Sequence, residues 1–160
     1  MEKSQWYIGT PSGVVLCVDQ KGQEQLNGRI YHAYSKEPEQ FDGVEQLLFE
    51  LERFYDSINF PHPGTNERTF QGDVQHANLK VERSKVMNDE ELLSKHGDFG
   101  TFIIRVQHRQ NSSWQGKITW MDKDKTLYFR SVWEMIKLID SALDTVSEPK
   151  DDAERKRWED

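Results

Sequence analysis

Two arginines four residues apart, Arg105 and Arg109, stand beside the run Asn111-Ser-Ser113-Trp-Gln-Gly116. Guanidinium groups clamp phosphate oxygens through paired donors and stack on nucleobases, so this spacing next to a polar turn suits a phosphate-bearing ligand. Alternation along three predicted strands puts Lys117, Tyr128 and Arg130 on the same sheet face. The candidate binding residues are therefore Arg105, Arg109, Asn111, Lys117, Tyr128 and Arg130.

Other chemistries find less support. Cys17 is predicted inside a strand with no glycine-rich elbow around it, which reads as a structural thiol and not a nucleophile. The five histidines, His32, His62, His76, His96 and His108, include no i, i+4 pair, and no Cys-x-x-Cys occurs. No metal site and no cofactor is expected, and neither a P-loop nor a G-x-G-x-x-G is present. An enzyme would need a deep pocket assembled from His62, His76 or His96 in a non-periodic connector. The expectation is a non-catalytic protein.

The R-x-x-x-R and N-x-S-x-x-G strings resemble the two halves of the PilZ signature. That resemblance implies a sensor gripping a cyclic dinucleotide through Arg105, Arg109 and Asn111. In PilZ domains the arginine motif precedes the barrel and lies well apart from the second motif, whereas here one residue separates them. A longer resemblance runs from Arg105 to Leu143. It is to a group of short bacterial proteins of unassigned function that carry W-Q-G-x-I-x-W, then F-R-S, then a helix of the E-M-I-x-L-I type. Trp114, Gln115, Gly116, Ile118, Trp120, Phe129, Arg130, Ser131 and Glu134 match. This likeness implies a bacterial, cytoplasmic protein and brings no activity with it.

What must position these side chains is a repeated unit. Residues 14–56 lie over residues 102–144 without a gap. Val18 meets Val106, Gly28 meets Gly116, Ile30 meets Ile118 and Phe41 meets Phe129. The apolar pattern also matches, with Leu26 on Trp114, Leu47 on Met135 and Leu51 on Ile139. Each unit reads as a β-branched strand, a polar turn, a second alternating strand, a third short strand and a helix. In the second unit Trp114, Gly116, Ile118 and Trp120 share a buried face, joined by Leu127 and Phe129. Its helix starts at a capping box, Ser131 with Glu134, and carries the stripe Val132, Met135, Ile136, Ile139, Ala142 and Leu143. In the first unit Asp42 or Gly43 caps, and the helix stops before Pro61.

The expected fold class is α+β: two tandem β-β-β-α units from an internal duplication, with antiparallel sheets and one packed helix each. The divisions are 1–60 for the first unit, 61–99 for a connector, 100–146 for the second unit and 147–160 for a charged tail. In the connector PHPGTNERTFQGD reads as loop, and NDEELLSKHG as a short helix capped by Asn88. A helix covers only one face of such a sheet, so the face carrying the arginines is expected to be open or docked.

Composition sets the outer bounds. The chain has 160 residues, 35% of them apolar and 31% charged, and a net charge of −7. That balance disfavours broad nucleic-acid binding. No run reaches membrane-spanning length, no signal peptide is recognisable, and a single cysteine points to the cytoplasm. Residues 13–56 hold four basic against nine acidic residues, whereas 100–144 hold seven against five. The two units thus differ in sign, which suggests a protein partner, self-association or a phosphate ligand at the more basic one.

Overall fold

The β-branched stretches VVLCV and TFIIRV become the two innermost strands of a sheet, where both faces of each strand are covered. In the computed structural model, which describes residues 8–22, 25–63, 67–74, 83–110 and 113–147, these are β1 (Val14–Lys21) and β6 (Gly100–His108). Between them come β2 (Leu26–Tyr31), β3 (Glu39–Asp42) and α1 (Val44–Ile58), then β4 (Glu67–Thr69), β5 (Gly72–Val74) and α2 (Asp89–Leu93). After β6 follow β7 (Gln115–Trp120), β8 (Lys125–Phe129) and α3 (Val132–Ser147). The fold is α+β, with one six-stranded sheet in the order β3-β2-β1-β6-β7-β8 and every neighbouring pair antiparallel. The sequence pattern left open whether the sheets of the two units join; β1 and β6 pair and join them.

The two halves of this sheet repeat one register. Val18 faces Gly28 and Gly28 faces Phe41; 88 residues later Val106 faces Gly116 and Gly116 faces Phe129. The register slips once in each hairpin, between Val18 and Gln20 and again between Val106 and His108. Opposite each slip sits a glycine in contact with backbone. A Cβ on Gly28 would lie 1.9 Å from the Cys17 carbonyl oxygen, and one on Gly116 would lie 2.0 Å from that of Arg105. Only a hydrogen fits there, which is why both β2 and β7 carry glycine.

Helix starts repeat too. The Asp42 amide donates to Gln46 Oε1 at 2.7 Å, and the Arg130 amide to Glu134 Oε1 at 2.9 Å. At α3 Ser131 Oγ accepts from the Glu134 amide as its cap, while α1 has only Gly43 at φ 100° and no side-chain cap. Asn59, left-handed at φ 48°, ends α1 two residues before Pro61.

Both helices lie on one sheet face. Leu16, Ile30, Leu51, Phe102, Ile104, Met135 and Ile139 meet there in the larger core cluster. The second face was expected to be open or docked, and at its centre the chain covers itself. Ile8, Met87 and Leu92 pack on Val15, Cys17 and Ile103. Asn88 and Glu91 form the reciprocal cap of α2 that the sequence predicts. The segment predicted as loop around ERTFQGD contains the hairpin β4–β5. The charged tail lies outside the described residues, except Ser147 at the end of α3.

Candidate functional site

Strict alternation from Arg105 would put Arg109 on the same face as Arg105. The register slip after Val106 takes up one residue and turns Arg109 to the helix face. The two arginines therefore point to opposite sides of the sheet, and both are buried, at 7% and 5% exposure. Arg105 Nε donates to the Ile8 carbonyl oxygen at 3.2 Å, and its Nη1 reaches Thr119 Oγ1 at 3.4 Å. Arg109 Nε donates to the Pro61 carbonyl oxygen at 2.6 Å, and its Nη1 to Asp56 Oδ1 at 2.8 Å. The Arg109 guanidinium sits 5.7 Å above the Tyr55 ring. The predicted outward arginine pair is thus corrected: each holds internal partners, and they do not converge on one ligand. Asn111 lies outside the described residues.

Lys117, Tyr128 and Arg130 do reach the surface. Lys117 Nζ lies 5.6 Å from the centre of the Tyr128 ring, and Tyr128 Oη donates to Gln107 Oε1 at 3.1 Å. Arg130 forms a two-point contact with Glu134, its Nη2 lying 2.9 Å from Oε2. That pairing holds the Glu134 carboxyl below the usual carboxylate range.

Of the large side chains along this edge, Leu127 was expected on the buried face, Tyr128 on the opposite face, and Trp133 lies off the predicted stripe of α3. Leu127 is 55% exposed, Tyr128 59% and Trp133 68%. Leu127 shares the register of Ile118, as expected, but β8 is the last strand of the sheet and α3 does not extend over it there. Trp133 falls off the apolar stripe of α3, and that offset was a readable sign of exposure. The equivalent positions on the opposite edge, 88 residues earlier, are Glu39, Gln40 and Glu45, all exposed.

The second notable locus is the Arg109 position and its counterpart Lys21. The slip in β1 also turns Lys21 to the helix face, where its Nζ lies 3.3 Å from Asp140 Oδ1 and 3.2 Å from Asp144 Oδ1. Asp144 stands 88 residues after Asp56, so each inner strand ends in a cation bonded to the helix of the other half. Beside Lys21 is a cavity of about 290 Å³ walled by Leu26, Val44, Ile136, Ile139 and Leu143.

Among the described residues, the remaining titratable groups form no reactive cluster. Burial pushes the Cys17 thiol up to about 12, which suits a structural role. His32, buried and stacked on Phe54 at 4.1 Å, is pushed down to about 4 by burial and by Arg83. His62, beside Asn59, and His96 are both exposed, while His76 lies outside the described residues. No group of three metal-ligating side chains occurs among the described residues, and no helix there is long and apolar enough to cross a membrane.

No protein-family model, curated protein or solved structure matches the chain.

Proposed function

We propose that this is a non-catalytic binding protein whose partner-facing surface is the β8 edge together with the start of α3. The observation that carries the reading is the apolar trio Leu127, Tyr128 and Trp133, exposed on the terminal strand and the helix that follows it. Folded proteins protect sheet ends with charge, as the β3 edge does with Glu39, Asp42 and Glu45. Side chains of this kind left at an unpaired edge mark a surface awaiting a partner. An extended segment of another protein adds there as a further strand, with main-chain hydrogen bonds for affinity and the trio for selection. Lys125, Lys117 and Arg130 favour acidic residues in that segment.

We also infer that the two halves arose by duplication. The shared register, the two slips, the two backbone-facing glycines and the paired amide caps support it. In that history one copy kept a charged edge and the other acquired the apolar trio. A cytoplasmic setting accords with one buried, unpaired thiol.

The test places a photo-crosslinking phenylalanine derivative at position 128 or at position 40, the equivalent site on β3, in cells that make the protein. Adducts with a protein partner are expected from position 128 and not from position 40, and Leu127→Asp with Trp133→Glu should abolish them. Equal labelling from both positions, or none from 128, overturns the proposal.

A further inference from the structure

The cavity beside Lys21 has a counterpart in the other half, and the comparison shows what it lacks. Shifted by 88 residues, Leu26 becomes Trp114, Val44 becomes Val132, Ile139 becomes Leu51 and Leu143 becomes Tyr55. There the space between helix and sheet is occupied by aromatic rings. Trp114 is buried, and its ring meets that of Tyr55 edge to face at 5.3 Å and 86°. In the first half two leucines stand at those places, and about 290 Å³ is left between them, Val44, Ile136 and Ile139. Val44 beside this space is exposed, whereas Val132 is half-buried. The walls are aliphatic, and the volume is at the lower end of the roughly 300–1,000 Å³ that ligand sites span, so the space suits one ring or a fused pair.

The repeat thus points to an aromatic side chain, and the sequence narrows which one. Trp114, Trp120 and Trp133 are fixed in the second half. Trp6 and Tyr7 precede Ile8, which packs on the opposite face of the sheet, and two residues of chain reach only about 7 Å. Trp158 is placed differently. It follows Ser147, the last residue of α3, by eleven residues, and α3 itself forms one wall of the cavity. From Ser147 back to Leu143 is about 6 Å along the helix axis. Eleven residues of extended chain span up to about 40 Å, so the return is well within reach. Tethering also makes docking intramolecular, so a small aliphatic cavity holds a tethered ring with less affinity than a free ligand would need.

We propose that Trp158 docks in this cavity of its own chain, its indole lying against Leu26, Val44, Ile136 and Ile139 in the place that Trp114 and Tyr55 fill in the other half. The contact ties the segment after α3 to the start of α1 and the β1–β2 hairpin, so that each half is closed by a tryptophan. This site is distinct from the β8 edge, and neither proposal depends on the other.

The full chain is labelled with ¹³C at the methyl groups of Ile, Leu and Val, and nuclear Overhauser contacts from the Trp158 indole protons are recorded by NMR. Trp158→Ala identifies those contacts by their loss. Contacts to the methyls of Val44, Ile136 and Ile139 are expected. Leu26→Trp supplies the missing ring from within and should remove them. Leu143→Tyr does the same from the helix side, should the first variant fold poorly. Absence of contact between Trp158 and these methyls overturns the proposal, as do undiminished contacts in a ring-filling variant that retains the native spectrum. Contacts seen only between labelled and unlabelled chains in a mixed sample assign the cavity to a second copy and refute docking within one chain.

Discussion

His32 shows how burial makes a residue pH-sensitive. Its ring stacks on Phe54, its Nδ1 accepts from the Tyr34 amide, and little water reaches it. The protonated form is disfavoured first by that burial and then by the Arg83 guanidinium, so the folded-state value falls from 6.5 to about 4. Because the folded value is depressed, the unfolded chain binds the proton more readily. Stability from this group is fully present above pH 6.5 and is lost as pH falls toward about 4. At roughly 1.4 kcal/mol per unit the loss amounts to a few kcal/mol. Denaturant titrations between pH 7 and pH 4 should show this decline, and His32→Phe should flatten it. An unchanged slope in the variant would mean that other groups drive it. The same residue scale explains why Arg105 and Arg109 misled the sequence reading. Their types suited phosphate, but a guanidinium also satisfies carbonyl groups that a packed interior leaves short of donors, and this is how the fold uses both.

Strand pattern was the most legible feature, because period-two alternation survives in the bare sequence. The strands of the two long hairpins followed from it, while α1 and α3 followed from their apolar stripes and the cap of α2 from Asn88. Two things left no such trace. A register slip costs one residue and has no characteristic type, so Asp19 and Gln107 look like ordinary strand residues while they turn Lys21 and Arg109 to the other face. The cover of the second face comes from isolated apolar residues, Ile8, Met87 and Leu92, in segments without periodicity. Glycine was the readable half of the slip. Gly116 faces backbone on Arg105 and Val106, and no side-chain movement can relieve a Cβ placed 2.0 Å from a carbonyl oxygen. Gly116→Ala should therefore force β6 and β7 apart and cost about 1–3 kcal/mol, outweighing the smaller entropic gain of alanine in the unfolded chain. Gly28→Ala should behave alike, and Gly22→Ala, whose added Cβ would meet its nearest neighbour at 3.7 Å, should not. Thermal unfolding of the three variants checks this. Equal melting temperatures would show that the strand contact is not as tight as the geometry implies.

At the scale of the molecule, each half is completed by the other. The inner strands β1 and β6 are buried on both faces along most of their length, so neither half alone can cover its own central strand. Charge pairing crosses the same seam, from Arg109 to Asp56 in one direction and from Lys21 to Asp140 and Asp144 in the other. The two links are unequal. Arg109 is buried and bonded to Asp56, while Lys21 divides its bonds between two exposed aspartates. Asp56→Asn leaves a buried cation under-compensated and should cost about 1.5–3 kcal/mol, whereas Asp144→Asn should cost well under 1 kcal/mol because Asp140 remains. If the sheet unfolds as one body, the Asp56→Asn loss will not stay in α1. Native-state hydrogen exchange should show amides of β7 and α3, which do not touch the substituted residue, losing protection by the same amount as those of β1 and α1. Exchange that speeds up in the first half alone would show two independently opening units and would contradict the shared core.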